Sequence, residues 1–437
     1  MKRFFETIKN IFSIEDLRVR ILNTIGFLVI FRLGSFIVLP GIDPNLLTSG
    51  AQGGIFDLIN TFLGGSFSRA SIFALGIMPY ISASIVVQLL TVAVPYFQKL
   101  QKEGDSGRKR INQITRVLTI AITSAQALSY LNATINPEAI INPGLLFNFS
   151  SLVILIAGTM FCMWLGERIT DKGIGNGISM LIMIGIISRF PGSIIAEAIS
   201  KGMSGALLFI LEMIALFFVV MAVVMLVQAV RRIPIQYAKQ VVGDKVYGGK
   251  RDFIPLKVNA SGVMPIIFAQ ALMFIPPLVA GLWRDSDIGA YVGTTFSDFT
   301  SWQYNLVFGT LILLFTFFYT AITVNSNDIA ENLKRNGGFI PGIKPGKATG
   351  EFIDSVLTKI TLPGAIFLAI VAVLPAFAVR AGVGQNFAQF YGGTSLLIMV
   401  GVILDTLQQI ESYLLMRHYE GMMKSGRVKG RSQFAAA

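Results

Sequence analysis

Ten apolar stretches, each about long enough to cross a lipid bilayer, constrain this chain more than any other feature of its sequence. A hydrocarbon core about 30 Å thick needs roughly 20 helical residues. The sequence holds 53% hydrophobic and only 14% charged residues, against about 25% charged in soluble domains. We therefore predict an all-α polytopic membrane protein. The stretches lie near residues 21–40, 70–95, 117–136, 148–166, 174–191, 206–230, 258–282, 303–325, 360–379 and 392–412.

The positions of Lys and Arg support ten spans and orient them. If the termini and every second connection lie on one side, that side carries 30 of the 36 basic residues. By the positive-inside rule this side is cytoplasmic, so both termini are expected there. Residues 1–20 are basic and amphipathic, without the apolar segment of a cleavable signal, and predict an interfacial helix.

The stretch from Gly53 to Pro95 is expected to enter the membrane twice. Residues 55–63 have apolar side chains at helical spacing, but nine residues cover only roughly 13 Å and cannot cross. Gly64 and Gly65 then break the helix, and residues 70–98 carry no charge and predict a full span. A re-entrant helix implies a cavity around its ends. The alternative is a surface amphipathic helix followed by a kinked span.

Five spans precede the middle of the chain and five follow it. We expect an N-terminal half, residues 1–192, with spans 1–5 and the re-entrant segment at about 54–66. The C-terminal half, residues 193–437, holds spans 6–10. Because five is odd, related halves would be inverted about an axis in the membrane plane. Any pathway would then lie between them.

Several kinds of chemistry lack their usual residues. Cys162 has no second cysteine, and His418 is the only histidine, so a disulfide, a histidine metal site and a Ser–His pair are not expected. The sequence GIKPGK, 342–347, has its glycines too close for a phosphate loop, and Ala348 follows the lysine instead of Ser or Thr. Ion-coupled transporters usually carry buried carboxylates near the bilayer midplane, but Glu212 and Asp405 fall near span ends, so there is little support for an ion-coupled pump. We expect neither an enzyme nor a cofactor.

Two long basic segments, 231–257 and 326–359, are rich in Gly and Pro and are expected to form shaped hairpins. Basic surfaces of this kind bind large acidic or RNA-containing partners. Topology and attraction to anionic lipid head groups would explain most of the net charge of +12 without a partner.

Six separated motifs resemble the bacterial SecY family, the central subunit of the Sec protein-conducting channel. They are SRASIFALGIMPYISASI, GTMFCMWLGERITDKGIGNGIS, RRIPIQYAK, PLKVNASGVMPIIFA, DIAENLKRNGGFIPGIKPGK and GGTSLLIMVGVILDTLQQIESYLLMRHYEG. They occur in order between about Arg18 and Arg427. The resemblance implies ten transmembrane helices in two inverted five-helix halves, with a re-entrant plug helix and a lateral gate between spans 2 and 7.

Motif by motif, the resemblance assigns residues to parts of a channel. The pore ring falls on Ile77, Ile81, Ile182, Ile267 and Ile398. The plug falls on Ile55, Phe56, Asp57, Leu58, Ile59, Asn60, Thr61, Phe62 and Leu63. The lateral gate includes Ser82, Gln88 and Gln270, and the two glutamines are expected to face one another. β-Branched apolar side chains suit a narrow constriction because they are stiff and repel water and ions.

The resemblance also implies partners. These are the small membrane subunits SecE and SecG, the SecA motor ATPase, the ribosome with its rRNA and proteins, signal sequences and nascent chains, and the lipid bilayer. The docking residues would be Lys239, Lys245, Lys250, Arg251, Lys334, Arg335, Lys344 and Lys347. Lys344 stands where the family has Arg, and Asp244 where a basic residue is common, so the contacts of these two are expected to differ.

The function expected from the resemblance is passage of unfolded secretory polypeptides across the bacterial cytoplasmic membrane. Transmembrane segments would leave sideways into lipid, with the ribosome or SecA as the driving partner. A small-solute secondary transporter is the alternative, and it predicts saturable uptake that does not depend on the two basic segments.

Overall fold

The computed structural model describes residues 12–47, 60, 63–133, 135, 137–203, 205–237, 239–242, 245–248, 251–273, 276 and 287–424. Within them the α-helices, in chain order, are α1 (Glu15–Gly34), α2 (Met78–Ala93), α3 (Pro95–Lys102), α4 (Asp105–Ala133), α5 (Leu145–Lys172), α6 (Gly177–Lys201), α7 (Ala206–Gln228), α8 (Met264–Met273), α9 (Asp287–Ser297), α10 (Trp302–Thr323), α11 (Ser326–Arg335), α12 (Lys347–Arg380), α13 (Gln385–Ala388) and α14 (Gly393–Lys424). Short 3₁₀ helices occupy Pro44–Leu46 and Pro137–Ala139.

Five short strands lie between helices α7 and α12. They are β1 (Val230–Tyr237), β2 (Lys239–Val242), β3 (Lys245–Gly248), β4 (Arg251–Lys257) and β5 (Gly338–Phe339). β1 pairs antiparallel with both β4 and β5, which gives the order β4-β1-β5, and β2 pairs with β3 as a separate hairpin. The pairing of β1 with β5 joins the two basic segments into one sheet.

The all-α polytopic membrane fold is confirmed. Six described helices are long and apolar enough to cross a membrane, and the bent pair α2 and α3 makes a seventh candidate. α7 is the most apolar of the six and leaves Leu207, Leu211 and Phe217 widely exposed, as a lipid-facing helix does. Part of the seventh predicted span, from 277 to 282, lies outside the described residues.

The second predicted span, 70–95, is shorter than expected, because residues 63–77 form turns and α2 begins only at Met78. Gly76 takes a positive φ of 51°, and Pro79 in the first turn of α2 favours a helix start there. Pro95 then begins α3, which lies at 97° to α2. The predicted span at 70–95 therefore consists of turns followed by the bent helix pair α2 and α3 rather than one straight helix.

The second basic segment, 326–359, is not a hairpin. It contains α11, the two-residue strand β5 and the beginning of α12, which starts at Lys347 and continues through the ninth predicted span. Asn325 caps α11, since its side-chain oxygen accepts hydrogen bonds from the N–H groups of Asn327 and Asp328. The first basic segment, in contrast, contains the predicted antiparallel hairpin of β1 and β4.

The fifth predicted span, 174–191, whose first half is rich in glycine, forms the regular helix α6. The side chain of Asn176 caps it by accepting from the N–H groups of Ile178 and Ser179. Pro191 lies inside α6, and the helix continues to Lys201. The connection to α7 therefore lies at 202–205, beyond the predicted division at 192/193.

Four clusters of buried apolar side chains form the core. The largest draws on α1, α2, α5, α6, α8 and α14, and it lies between the helices before and after the 202–205 connection. The second cluster lies among the helices that follow this connection and the third among those that precede it. The fourth packs the β1–β4 hairpin on α11 and α12. We call α1–α6 the first helix group and α7–α14 the second.

Candidate functional site

The five isoleucines predicted to form a ring come together in the largest core cluster. Ile77, Ile81, Ile182 and Ile398 are buried within it, each at most 8% exposed. Ile267 is half-buried and packs against the same cluster. These residues lie 321 positions apart at the extremes, yet four elements from both helix groups bring them to one place.

Helical periodicity explains why these positions meet. Ile77 precedes the first residue of α2, and Ile81 and Ile85 follow it at intervals of four on one buried face. α6 presents Ile182 and Ile186 with the same spacing, and α14 presents Ile398 with Val402. Each helix thus contributes an apolar stripe, and the cluster forms where the stripes converge.

The predicted plug is described only where it ends. Ile55, Phe56, Asp57, Leu58, Ile59, Thr61 and Phe62 lie outside the described residues. Asn60 and Leu63 are buried. The N–H of Gly65 donates to the carbonyl oxygen of Asn60 at 2.9 Å, and Gly64 has a φ of +62°. This six-to-one hydrogen bond with a left-handed glycine is the Schellman arrangement that ends an α-helix.

Two arginines converge on the same helix end. Arg69 Nη2 donates to the carbonyl oxygen of Gly64 at 2.9 Å, and Arg32 Nη1 donates to it at 3.3 Å. Both guanidinium groups also lie over the ring of Phe36, at 4.3 Å and 5.2 Å from its centroid. Cations at a helix C-terminus interact favourably with its exposed carbonyl groups.

The first helix group faces the second across α2 and α8, a surface that we call the front seam. A cavity of about 360 Å³ lies there, and its lining includes Gln88 and Thr91 of α2, Phe268 of α8 and Tyr319 of α10. Within the described parts of α2 and α8, no side-chain hydrogen bond joins the two helices. The front seam is held by apolar contacts.

The predicted gate residues have separate surroundings at this seam. Ser82 is half-buried and donates to the carbonyl oxygen of Met78 in its own helix. Gln88 lines the cavity of the front seam. Gln270 is buried and its side-chain oxygen accepts from Thr394 Oγ1 at 2.9 Å, within the second helix group. The structure thus pairs Gln270 with Thr394 rather than with Gln88.

The two helix groups also meet where α6 packs against α7, α13 and α14, a surface that we call the back seam. At one end the N–H of Gly175 donates to Gln409 Oε1 at 2.8 Å, and the Arg20 guanidinium lies 5.5 Å from the centre of the Tyr413 ring. These contacts join the α5–α6 connection and α1 to α14.

At the opposite end of the back seam, a buried polar cluster joins the groups again. Lys201 Nζ lies 2.9 Å from Glu212 Oε1 and 3.5 Å from Glu197 Oε1. It also donates to the carbonyl oxygen of Gly382 at 2.7 Å. Both Glu197 oxygens accept from the N–H of Gly384, each at 3.1 Å. From the sequence, Glu212 is noticed only as a residue near a span end, and neither Glu197 nor Lys201 is singled out.

A usable signal for this cluster is nevertheless present in the sequence. Glu197 and Lys201 stand four residues apart in the last turn of an apolar helix, and Glu212 follows the short connection after it. An acid and a base at this spacing lie on one helix face. Buried charges in a membrane protein need a partner of opposite charge, which the two carboxylates and Lys201 supply.

Five of the predicted docking residues have described side chains, on β4, on α11 and at or just before the start of α12. Arg251, Lys334, Arg335, Lys344 and Lys347 are exposed. Arg335 forms an ion pair with Glu331 at 2.8 Å. Lys239 and Lys245 lie on β2 and β3, where only the backbone is described, and Lys250 and Asp244 lie outside the described residues. The described basic side chains thus share one end of the molecule with Arg231, Arg232 and Lys257 of the hairpin.

Known proteins match this chain along nearly its whole length. The family model for SecY matches residues 71–407. The chain is 44% identical over 431 residues to protein translocase subunit SecY of Halalkalibacterium halodurans, covering 96% of this chain and 100% of that protein. It is 42% identical over 431 residues to protein translocase subunit SecY of Escherichia coli strain K12, covering 96% of each.

Solved structures share the fold. One described as a protein conducting channel aligns with a TM-score of 0.63 and 18% sequence identity, over 90% of this chain and 92% of that chain. Sec61 in a canine ribosome–channel complex from the endoplasmic reticulum aligns with a TM-score of 0.59 and 18% identity, over 90% and 92%. At these identities the likeness establishes the fold alone.

Proposed function

This chain belongs to the SecY family, and we propose from that premise that it forms the pore through which unfolded secretory polypeptides cross a membrane. The family makes the chain a protein-conducting channel subunit and not an enzyme. The observation that carries the proposal is the convergence of five isoleucines from both helix groups in one buried cluster, within a chain that matches its relatives along nearly its whole length.

The chemistry of the ring suits passage without binding. Isoleucine side chains offer no hydrogen-bond donors or acceptors, so a polypeptide of any sequence meets the same apolar surface. They are also stiff at χ1, which favours a constriction of defined shape. A narrow apolar constriction excludes water and therefore resists ions while no chain occupies it.

We assign the plug to residues 55–63 and the lateral gate to the front seam. The hydrogen bond from the Gly65 N–H to the Asn60 carbonyl oxygen and the two arginines at Gly64 fix the described end of this segment, which supports a resting position for the plug. The front seam, with apolar contacts and a cavity, is the surface through which a transmembrane segment would leave sideways into lipid. Ser82, Gln88 and Gln270 lie on its helices.

The exposed basic end is the proposed docking surface for the ribosome and for the SecA motor. Two structural neighbours are described as ribosome complexes, which supports such a surface here. SecE and SecG are the proposed membrane subunits. Because the similar translocase subunits are bacterial, we place the chain in the bacterial cytoplasmic membrane with both termini cytoplasmic. The departures at Lys344 and Asp244 would change individual contacts and leave the surface basic.

Reconstitution tests the function directly. The chain, purified with the subunits that accompany it, is placed in vesicles and supplied with a radiolabelled secretory precursor and its driving partner. Protease-protected precursor inside the vesicles is the expected result. Absence of protected precursor, together with saturable uptake of a small solute, would favour the transporter alternative.

A further inference from the structure

The polar cluster at one end of the back seam has no part in the pore, the plug or the docking surface. It comprises Glu197 and Lys201 at the end of α6, Glu212 in α7, and the backbone of Gly382 and Gly384 after α12. The two carboxylates are about 95% buried, at 4% and 5% relative exposure. Such burial is unusual for acidic side chains and demands an explanation.

Lys201 is the centre of the cluster. Its ammonium group contacts both carboxylates and the carbonyl oxygen of Gly382. One side chain of the first helix group thus holds two separate elements of the second, α7 and the turn after α12. Since the residues between Lys201 and α7 include glycines, the covalent connection by itself leaves the angle between the groups free.

Glu197 holds the same turn by a second route. Its two oxygens accept from the N–H of Gly384. A Cβ built on Gly384 would overlap Glu197 Oε2, so the turn and the carboxylate are in direct contact with no space between them. The φ of Gly384 is −58°, so alanine there would be strained by this contact and not by its backbone.

The two helix groups meet at two separate places around the largest apolar cluster: α2 contacts α8 at the front seam, and α6 contacts α7, α13 and α14 at the back seam, where the polar cluster lies. Glu197 and Lys201 lie on α6, so the cluster fixes the angle between the first helix group and the second at the back seam. That angle determines how closely α2 and α8 approach at the front seam. No side-chain hydrogen bond joins the described parts of α2 and α8, and a cavity lies beside them, so little at the front seam opposes separation.

We propose that Glu197, Lys201 and Glu212 are positioning residues that hold the resting angle between the two helix groups and so keep the front seam and the ring closed. The proposal rests on the proposed channel function. Loosening the cluster releases the angle, and the closed-to-open equilibrium moves toward open without any change in the ring or the plug.

Two variants test this by independent routes. Glu197→Gln removes the charge that faces Lys201 and keeps the size of the side chain. Gly384→Ala changes no charge but drives the turn away from Glu197. The matched control is Gly309→Ala in the middle of α10, where an added Cβ meets nothing within 4 Å.

The readouts are the distance between the groups and the ion leak of the resting channel. Spin labels at Gln113→Cys in α4 and Glu351→Cys in α12, both exposed, report the distance, and buried Cys162 is not accessible to the label. In vesicles without precursor, both variants are expected to broaden the distance distribution toward longer values. Resting ion leak should rise roughly tenfold, equivalent to about 1.4 kcal/mol in the closed-to-open equilibrium, while Gly309→Ala matches the wild type.

Wild-type distance and leak in both inserted variants would overturn the proposal. If Glu197→Gln does not accumulate, the charge exchange Lys201→Glu with Glu212→Lys decides, because it keeps two acids and one base. Recovery of wild-type leak relative to Glu212→Lys alone supports the cluster, and no recovery counts against it. Precursor transport in the same vesicles separates the two proposals: its absence in wild type rejects the channel function, whereas normal transport with unchanged leak rejects only the cluster's role.

Discussion

The front and back seams join the same two helix groups with different chemistry. At the front seam, no side-chain hydrogen bond joins the described parts of α2 and α8, and a cavity of about 360 Å³ lies beside them. The back seam carries directional contacts at both ends: Gly175 with Gln409 and Arg20 with Tyr413 at one, and Lys201 with its carboxylates at the other. Apolar contacts tolerate sliding and separation, whereas buried ion pairs and hydrogen bonds require fixed geometry.

This contrast indicates which side of the molecule is built to move. A passage that opens sideways must separate two packed surfaces repeatedly. Lipid tails can replace apolar contacts at small cost, but they cannot replace the partner of a buried charge. Opening at the front, with the back seam as the pivot about which the two helix groups turn, is therefore the motion that costs the least free energy.

The largest expected effect comes from a covalent crosslink across the front seam, compared with a matched crosslink across the back seam. Gln88→Cys with Phe268→Cys, joined by a bismaleimide, should prevent separation of α2 and α8 and lower precursor transport about tenfold or more. The matched crosslink is Arg20→Cys with Tyr413→Cys across the back seam, which should leave transport within about twofold of the untreated variant. Equal inhibition of precursor transport by the two crosslinks, measured in the same vesicles, would contradict the view that only the front seam separates.

A second prediction concerns the proposed isoleucine ring in the apolar cluster that both seams border. Ile182→Gly removes a buried branched side chain from the constriction and should raise resting ion conductance by roughly an order of magnitude. The control is Ile370→Gly, on the exposed face of α12. It carries the same helix penalty of about 1 kcal/mol and should leave resting ion conductance at the wild-type value. Unchanged conductance of correctly inserted Ile182→Gly would remove Ile182 from the ring.

The smallest expected effect lies at the other end of the back seam. Gln409→Leu removes the acceptor of the Gly175 N–H and should lower the free energy of unfolding by about 1 kcal/mol. Resting leak should stay at the wild-type value, because the cluster around Lys201 still holds the seam. Gln408→Leu, its exposed neighbour, should change neither quantity in thermal unfolding and conductance measurements.

Much of the fold can be predicted from the sequence because bilayer thickness fixes the length of apolar helices. α7 and α10 match their predicted spans within two residues at each end, and α5 contains its predicted span and continues six residues beyond it. The second span is predicted to begin too early because hydropathy does not distinguish turns from helix. Residues 70–77 carry no charge and are mostly apolar, yet Gly76 and Pro79 delay the start of α2 to Met78. α12 is predicted too short because its first turns extend beyond the apolar stretch.

The candidate site is also only partly predictable from the sequence. The five isoleucines are assigned through motif resemblance, since composition alone makes Ile267 equivalent to any lipid-facing isoleucine. The partner of Gln270 cannot be predicted, because Thr394 lies 124 residues away and only packing brings them together. The cluster around Lys201 depends on a backbone turn at Gly382 and Gly384, which no sequence pattern marks as a partner for buried charge.

The most direct test of the pore places a photo-crosslinker at Ile182 and stalls a secretory precursor halfway across the membrane. The same probe at Leu211, on the exposed face of α7, serves as the control. A pore at the ring predicts a crosslink to the precursor from position 182, dependent on the stalled chain, and none from position 211. Crosslinks confined to the basic end, in vesicles that still transport precursor, would contradict it and place the polypeptide path elsewhere.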